Sequence, residues 1–319
     1  MHASKPGDAG PASPRIGLGT LALTGRYGPV DDAAGIETIR FALDIGVPLI
    51  DAAAGAGAER AERLAGRAVA GRRDEAVIAA CGGVRRSPGG RETRLDGTPE
   101  HLRRSCDASL ERLGTDHIDV YYLAGVDPRV PVEESMGALA GLVASGKVRR
   151  VGLSGVSAEQ LRRAHAVHPV GALAAEYSLW ERRVEAECLP AARERGIAVF
   201  ACRPLGRGFL TGRVHSAGRL AEGDARRDDP RFRPENLSAN LRLLQAAEEV
   251  AAHRDLGLAR LALAWLLCRG DDITPVPSTR DRLHLEMNAA AAGIRLTAAE
   301  CEYLAALFPP ESIAGRGTR

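Results

Sequence analysis

Short apolar runs alternate with longer amphipathic stretches along most of this chain, and this alternation constrains the fold more than any other feature. Short apolar runs predict buried β-strands, whereas apolar residues spaced three and four apart predict helices. Eight runs are predicted as strands: Arg15–Leu21, Pro48–Asp51, Ala76–Cys81, Ile118–Leu123, Arg150–Ser154, Ala172–Glu176, Ala198–Arg203 and Thr274–Pro277. Helical patterns lie between them, for example Asp32–Ile45, Pro99–Leu113, Val132–Ser145 and Ala158–His168. Eight strand–helix units predict an α/β fold, a closed parallel (β/α)₈ barrel.

The length and composition fit one such barrel over residues 15–319, because 319 residues is usual for a single α/β barrel. Residues 1–14 are rich in Gly, Pro, Ala and Ser without an apolar core, which predicts a disordered N-terminal tail rather than a signal peptide. The net charge of +2 gives no reason to expect a nucleic acid or a membrane as partner. The six cysteines are scattered without metal-ligand spacing, which predicts a cytoplasmic protein with reduced thiols.

The carboxyl ends of the predicted strands are the place to look for chemistry, because barrels of this type carry their catalytic groups there. Residues 213–236 are rich in Arg, Asp, Gly and Pro and predict a long loop at the same end. A long loop in a compact domain is usually functional or mobile.

A series of motifs, in unbroken order from about residue 15 to residue 308, resembles the aldo-keto reductases. The motifs are Gly17-Leu-Gly-Thr20, Tyr27-Gly-Pro29, Gly66-Arg67, Leu110-Glu-Arg-Leu-Gly114, Asp116-His-Ile-Asp-Val-Tyr-Tyr122, Val126-Asp-Pro128, Gly146-Lys-Val148, Glu176-Tyr-Ser-Leu-Trp180, Pro204-Leu-Gly-Arg-Gly-Phe-Leu-Thr-Gly212 and Leu261-Ala-Leu-Ala-Trp265. The resemblance implies a TIM barrel, an NADPH cofactor, reduction of carbonyl compounds and a monomeric protein.

The resemblance also implies four catalytic side chains at the barrel mouth. They are an Asp, a proton-donating Tyr, and a Lys and a His that lower the pKa of this Tyr. Asp51 matches the Asp, but Ala56 stands at the Tyr position, Cys81 at the Lys position and Ala124 at the His position. Gly125 replaces the Arg that usually follows the His. The sequence therefore predicts that the acid machinery of the family is lost.

The residues predicted to bind the cofactor match the family pattern at one end of the site better than at the other. The family holds the nicotinamide with Ser-Asn and Gln side chains and an aromatic ring, and these positions are here Ser154-Gly155, Ala174 and Cys202. Only Ser154 keeps a side chain that forms strong hydrogen bonds. The phosphate and adenine end matches better, with Arg280 at a helix N-terminus as part of a predicted phosphate nest. Its candidate residues are Arg203, Leu205, Gly206, Arg207, Ser278, Thr279, Arg280 and Asn288. Arg203 either binds the pyrophosphate of the cofactor or occupies the position that the pyrophosphate would take.

Asp51 and Tyr27 are the candidate catalytic residues. Without a Lys partner, burial is expected to raise the pKa of Asp51, which would suit a general acid or base near neutral pH. The alternative is that Asp51 is a relic without a catalytic role, with its carboxylate hydrogen-bonded to the backbone or to water. The predicted substrate pocket consists of Ala56, Cys81, Ala124, Gly125, Trp180 and Cys202. The two cysteines are expected to act as small buried hydrophobes rather than as nucleophiles.

Three functions stay open on the sequence, and it favours the first over the other two. The first is a non-redox cyclase, dehydratase or isomerase on an apolar small metabolite of specialised metabolism, because the substitutions concentrate at the mouth while turns and core are intact. Small residues there predict a pocket opened for a bulky apolar ligand. The second is an NADPH-dependent reductase with an atypical site. The third is a non-catalytic binding or accessory subunit.

Overall fold

The computed structural model describes residues 15–86 and 93–316, so the predicted tail at residues 1–14 lies outside the described residues. The strands, numbered along the chain, are β1 (Gly17–Gly19), β2 (Leu49–Asp51), β3 (Val77–Gly82), β4 (Val84–Arg86), β5 (Thr93–Leu95), β6 (Ile118–Ala124), β7 (Val148–Ser154), β8 (Val170–Glu176), β9 (Ala198–Cys202) and β10 (Ile273–Val276). All except β4 and β5 form one parallel sheet in the order β1-β2-β3-β6-β7-β8-β9-β10.

The sheet closes on itself between β10 and β1. Gly19 forms a parallel bridge with Ser278, and its amide donates to the carbonyl oxygen of Pro277 at 2.9 Å. Each of the eight predicted strands is present at its predicted place, with ends that differ by at most a few residues. The prediction of a (β/α)₈ barrel is therefore confirmed.

Helices lie between successive barrel strands, and the last two helices follow β10. They are α1 (Asp32–Asp44), α2 (Ala58–Val69), α3 (Pro99–Leu113), α4 (Val132–Ala144), α5 (Ala158–Val167), α6 (Arg183–Ala186), α7 (Cys188–Arg193), α8 (Pro234–His253), α9 (Leu258–Cys268), α10 (Arg282–Ala290) and α11 (Ala298–Leu307). Local chemistry sets several ends. The Asp31 carboxylate accepts a hydrogen bond from the amide of Ala34 at the start of α1, and Gly114 ends α3 with a left-handed φ of 63°.

The barrel interior is filled by a small apolar cluster that is separate from the larger core between sheet and helices. Its buried members are Leu49, Ala79, Val120, Tyr122, Ala172, Ala174, Phe200 and Val276. Alternate residues of a strand point to opposite faces. On β6, Tyr122 therefore joins the interior cluster, whereas Tyr121 and Leu123 pack in the outer core. The interior cluster is the base on which the mouth of the barrel rests.

The predicted loop at residues 213–236 is built largely from short 3-10 turns, Ala217–Arg219, Ala225–Asp228 and Pro230–Phe232, before α8 begins. The carboxylates of Asp224 and Asp229 accept from the amides of Arg226 and Arg231 and so start two of these turns. The loop is therefore an ordered wall of the mouth.

Two features were not predicted. Strands β4 and β5 pair as an antiparallel hairpin after β3. The sulfur atoms of Cys268 on α9 and Cys301 on α11 lie side by side, and the expectation of reduced thiols stays a prediction. Within the described ranges, no helix is both long and apolar enough to cross a membrane.

Candidate active site

A deep pocket of about 1520 Å³ opens at the carboxyl ends of the barrel strands. Its lining includes Tyr27 after β1, Asp51 at the end of β2, Cys81 on β3, Arg203 after β9 and Arg280 after β10. Pockets for single small ligands usually measure about 300–1,000 Å³. This pocket is therefore large enough for a ligand of two parts or for two ligands together.

Asp51 lies at the floor of this pocket, with only 8% of its surface exposed. One carboxylate oxygen, Oδ1, accepts a hydrogen bond from the amide of Ala53 at 2.9 Å. Burial raises the pKa of Asp51 to about 6, and the Ala53 hydrogen bond opposes this only in part. The raised pKa agrees with the sequence prediction, and it makes the carboxyl a proton donor or acceptor near neutral pH.

Short side chains line the pocket alongside Asp51. Cys81 and Ala124 line the pocket, and of Ala56 only the backbone is described, in the 3-10 turn Gly55–Gly57. Among the residues that the structure describes, no basic side chain contributes to the pKa of Asp51. The carboxyl group is therefore governed by its desolvation.

Tyr122 is a lining residue that the sequence analysis overlooked. Its ring lies over Gly152 of β7, where an added Cβ would collide with it. Its hydroxyl is buried and has no hydrogen-bond partner among the described residues. Burial raises the pKa of Tyr122 well above its usual value, and the negative charge of Asp51 adds to this. The sequence did contain a signal for Tyr122. It stands two positions before Ala124 on β6, so the two side chains point to the same inner face of the barrel.

The residues predicted near the nicotinamide, Ser154, Ala174 and Cys202, all line the pocket. Burial raises the pKa of the Cys202 thiol far above its usual range, so the reactive thiolate is disfavoured. Cys202 thus behaves as a small apolar side chain. Of these three residues, Ser154 alone offers a strong hydrogen-bonding side chain.

A network of charged side chains forms another wall of the pocket. Glu176 accepts hydrogen bonds from Arg203 Nη1 at 2.7 Å and from Arg231 Nη2 at 3.0 Å. Arg231 also pairs with Asp229 at 2.8 Å, and Arg207 Nε lies 3.3 Å from Asp229 Oδ2. Burial opposes the ionisation of Glu176, but the positive charges of Arg203 and Arg231 outweigh it and hold its pKa below the usual value.

The predicted phosphate end also lines the pocket, through Leu205, Arg207, Ser278, Thr279 and Arg280. A side chain of the protein already occupies part of the predicted phosphate nest. Oδ1 of Asp281 accepts a hydrogen bond from the backbone amide of His284 at 3.0 Å. Likewise Ser278 Oγ accepts from the amide of Ala22 at 2.6 Å. Arg280 keeps an exposed side chain whose Nη1 donates to the Pro29 carbonyl at 3.0 Å.

Among the predicted site residues whose side chains are described, four do not line the pocket: Gly125, Gly206, Asn288 and Trp180. Trp180 is 1% exposed because its ring stacks on Phe209, with centroids 4.0 Å apart, and meets Phe232 edge-on. This packing makes Trp180 a core residue behind the charged wall, which corrects its predicted place in the substrate pocket. Asn288 is likewise buried on α10, at 4% exposure.

The fold and this arrangement of the mouth define the class of protein. The family model for the aldo/keto reductase family matches residues 15–308, and the chain belongs to this family. The protein named aldo-keto reductase yakc, with NADP(+) in its name, from Schizosaccharomyces pombe is 38% identical over 312 residues. This match covers 93% of the present chain and 92% of the relative.

Two similarities to solved structures agree with this membership. A glycerol dehydrogenase from Gluconobacter oxydans has a TM-score of 0.86 at 29% identity, with 98% of both chains covered. An aldo/keto reductase from Klebsiella pneumoniae in complex with NADP and acetate has a TM-score of 0.70 at 26% identity, covering 93% of this chain and 92% of that one. These relatives are named as reductases or dehydrogenases, which favours redox chemistry over the non-redox hypothesis.

Proposed function

We propose that this protein is an NADPH-linked oxidoreductase that interconverts a carbonyl compound and its alcohol, with Asp51 as the proton-transferring group. The observation that carries the proposal is the continuous pocket of about 1520 Å³ that runs from Asp51 to Arg280. This volume exceeds what one small ligand usually needs, and it suits a dinucleotide with a substrate beside it. The names of the relatives support the same class of reaction.

The charges of the pocket fit the phosphates of such a cofactor. The lining carries the arginines Arg26, Arg183, Arg203, Arg207, Arg213, Arg219, Arg226 and Arg280 against the carboxylates Asp51, Glu176, Glu181, Glu187 and Asp281. Guanidinium groups bind phosphate through charge-assisted, often bidentate hydrogen bonds. Arg280, two residues before α10, and Arg213, whose Nη1 lies 2.8 Å from Nε2 of His284 on α10, are the residues that would hold the phosphates there. When bound, NADPH supplies the hydride that reduction of a carbonyl carbon requires.

Asp51 is proposed to supply the proton. With a pKa of about 6, a useful fraction of this carboxyl is protonated near neutral pH. It can give its proton to the carbonyl oxygen during reduction and take a proton from the alcohol in the reverse direction. The short side chains of Cys81 and Ala124 leave the floor open, so a substrate oxygen can approach Asp51 directly. In this proposal Tyr27 lies on the wall and has no part in proton transfer.

The first test is a calorimetric titration of the purified protein with NADPH, followed by turnover with a panel of aldehydes and ketones. We expect micromolar affinity or better, and turnover that falls as pH rises above about 6 because Asp51 loses its proton. The variant Asp51→Asn should bind NADPH normally and lose about 100-fold or more in kcat. The matched control is Asp271→Asn, which changes a carboxylate whose side chain is 97% exposed. A failure to bind millimolar NADPH would exclude the proposal.

A non-redox proton-transfer enzyme is the second candidate, and one specific observation favours it. At the positions where the family usually has a Gln and a stacking aromatic ring, Ala174 offers the nicotinamide no side-chain hydrogen bond and Cys202 offers no ring. An isomerase or dehydratase would need Asp51 and no cofactor. It would therefore turn over in the absence of NADPH and still lose activity in Asp51→Asn, which separates the two candidates.

A further inference from the structure

Tyr122 carries a buried polar group that the proposed reaction leaves unused. Its side chain lines the pocket at the barrel floor, yet only 1% of the residue is exposed. Among the described residues, its hydroxyl has no hydrogen-bond partner. Leaving a buried hydroxyl unpaired costs stability, and native proteins therefore pair most such groups. A phenylalanine would fill the same space without this cost, so the hydroxyl requires an explanation.

The backbone beside Tyr122 holds its ring across the barrel. Tyr122 pairs with Gly152 in the register between β6 and β7, and its ring lies over this glycine. A Cβ at position 152 would come within 2.4 Å of Cδ1 and 2.7 Å of Cε1 of the ring. Any residue other than glycine would therefore displace the ring. The direction in which the hydroxyl points is thus set by two strands together.

The hydroxyl lies among groups of three other strands. Asp51 of β2, Cys81 of β3 and Cys202 of β9 are all near enough for their negative charges, when ionised, to act on it. In the sheet, β2 lies two strands from β6 in one direction, and β9 lies three strands away in the other. A group close to both must stand between them. The hydroxyl therefore lies near the middle of the barrel floor.

Asp51 and Tyr122 line the same cavity without bonding to each other. The carboxylate of Asp51 accepts from the amide of Ala53, and within the described part of the chain no hydrogen bond joins it to the Tyr122 hydroxyl. Cys81 and Ala124, which also line the pocket, are short. A ligand oxygen on the floor can therefore be hydrogen-bonded by the carboxyl and the hydroxyl together.

The Tyr122 hydroxyl is suited to donate a hydrogen bond but not to give up its proton. Burial raises the pKa of Tyr122 well above its usual value, and the negative charge of Asp51 adds to this. The phenol therefore stays neutral throughout the pH range in which Asp51 titrates. A neutral phenol offers one O–H group to an acceptor.

We propose that the Tyr122 hydroxyl is a catalytic hydrogen-bond donor to the reacting oxygen of the substrate, beside Asp51. The inference rests on the proposed oxidoreductase function, since it places a carbonyl oxygen on the floor. During reduction the carbonyl carbon gains a hydride from the cofactor, and its oxygen gains a proton from Asp51. Negative charge develops on this oxygen in the transition state, and the hydroxyl stabilises it without losing its own proton. Donors that are already in place in a buried site contribute strongly to catalysis.

The first experiment compares turnover by Tyr122→Phe and Tyr121→Phe. Tyr121 is the matched control, because it is the next residue on β6, is fully buried, and packs in the outer core. We expect kcat to fall about 100-fold in Tyr122→Phe, since one donor to the reacting oxygen is lost. In Tyr121→Phe, whose hydroxyl lies outside hydrogen-bond reach of the floor, kcat should change by less than about twofold. Equal kcat values in wild type and Tyr122→Phe would overturn the proposal.

The pH profile separates a donor to the substrate from a residue that only positions Asp51. The kcat of the wild type should fall as pH rises through about 6, the pKa of Asp51. Tyr122→Phe should keep the same midpoint at a lower rate, and its affinity for NADPH should be unchanged. A displaced midpoint, with kcat restored at the lower or higher pH, would show that the hydroxyl acts through Asp51 and would refute the donor.

An unreactive probe tests the donor without turnover. N-Cyclohexylformamide has a carbonyl oxygen like that of an aldehyde, but as an amide it resists reduction by hydride transfer. In calorimetric titrations with and without NADPH, we expect Tyr122→Phe to bind it about tenfold more weakly than wild type or Tyr121→Phe, because a hydrogen bond is lost. Equal affinity in wild type and Tyr122→Phe, or no binding to wild type at millimolar probe, would overturn the donor.

The two proposals fail in different ways. A protein that binds the amide through Tyr122 but does not bind NADPH would refute the proposed oxidoreductase and support the hydroxyl as a donor to a substrate oxygen. A protein that reduces carbonyl compounds with NADPH at the same kcat in wild type and Tyr122→Phe would refute the donor and leave the oxidoreductase intact.

Discussion

Asp51 and Glu176 are two carboxylates that each end a barrel strand and line the same pocket, yet their chemistry is opposite. Asp51 is 8% exposed and has its pKa raised to about 6. The Glu176 side chain is 20% exposed and has its pKa lowered. Both are desolvated, so burial alone does not decide the outcome. Neighbouring charges therefore decide whether such a buried carboxyl keeps its proton near neutral pH or stays ionised.

The two carboxylates have different neighbours because different segments of the chain pack beside them. After β2 the chain continues Ala52-Ala53-Ala54-Gly55, which offers Asp51 one backbone amide and no cation. Glu176 instead faces Arg203 from the end of β9 and Arg231 from the 3-10 turn before α8. A buried ion pair is costly to break, because the remaining partner is left charged in a medium of low polarity.

The largest expected effect comes from replacing Glu176, the carboxylate that pairs with two arginines. Glu176→Gln should lower the free energy of unfolding by about 3 kcal/mol at neutral pH, because Arg203 and Arg231 then lose their shared carboxylate. Because the folded-state pKa of Glu176 is lowered, its stabilisation is lost as pH falls through that value, and the variant and wild type should converge in acid. Urea unfolding across pH measures this.

Glu133→Gln is the control for this prediction, since Glu133 pairs with Arg163 at 2.8 Å on the surface. Exposed pairs contribute about 0–1 kcal/mol. If Glu176→Gln costs no more than Glu133→Gln, the charged wall does not stabilise the fold and the contrast with Asp51 fails.

The second largest effect concerns Asp51, and here the variant is expected to raise the free energy of unfolding rather than lower it. The pKa of Asp51 is raised from 3.8 to about 6, so the folded state binds its proton more tightly than the unfolded state does. Stability linked to Asp51 is therefore complete below about pH 4 and is lost as pH rises through about 6. Two pKa units correspond to about 3 kcal/mol. The side-chain amide of Asn would also be buried, and this burial cancels part of the gain. Asp51→Asn should therefore be about 2 kcal/mol more stable than wild type at pH 8 and almost equally stable at pH 4, as measured by urea unfolding. A loss of stability at pH 8 would show that an unrecognised cation pairs with Asp51.

The smallest effect sharpens the comparison at the pocket floor. Tyr122→Phe removes a buried hydroxyl that has no hydrogen-bond partner in the described part of the chain, and should therefore stabilise the protein by about 1 kcal/mol. Tyr177→Phe is the matched control, because the Tyr177 hydroxyl donates to Glu185 Oε1 at 2.6 Å and its removal should destabilise. Thermal melts of both variants decide the matter. A destabilised Tyr122→Phe would mean that the hydroxyl binds an ordered water on the floor.

The eight strands and the helices between them could be predicted because each rests on a local pattern. The α3 pattern, for example, is bounded by Thr98-Pro99 and by Gly114, and the structure places the helix at Pro99–Leu113. Asp51 could be placed at the mouth because it ends a strand. Tyr122 was missed because its sequence position fits an ordinary core residue. Trp180 was misplaced because its stacking on Phe209, 29 positions later in the chain (209 − 180), is invisible to a local pattern.

The barrel, its family and the residues at the strand ends can be predicted from the sequence, because periodicity, caps and motif order depend on neighbouring positions. How those residues act on one another depends on the tertiary structure. The desolvation of Asp51, the sharing of Glu176 by Arg203 and Arg231, and the pairing of Arg207 with Asp229 all depend on groups brought together from separate strands and loops. Electrostatic energies depend on distance and burial in space, and neither quantity is fixed by separation along the chain.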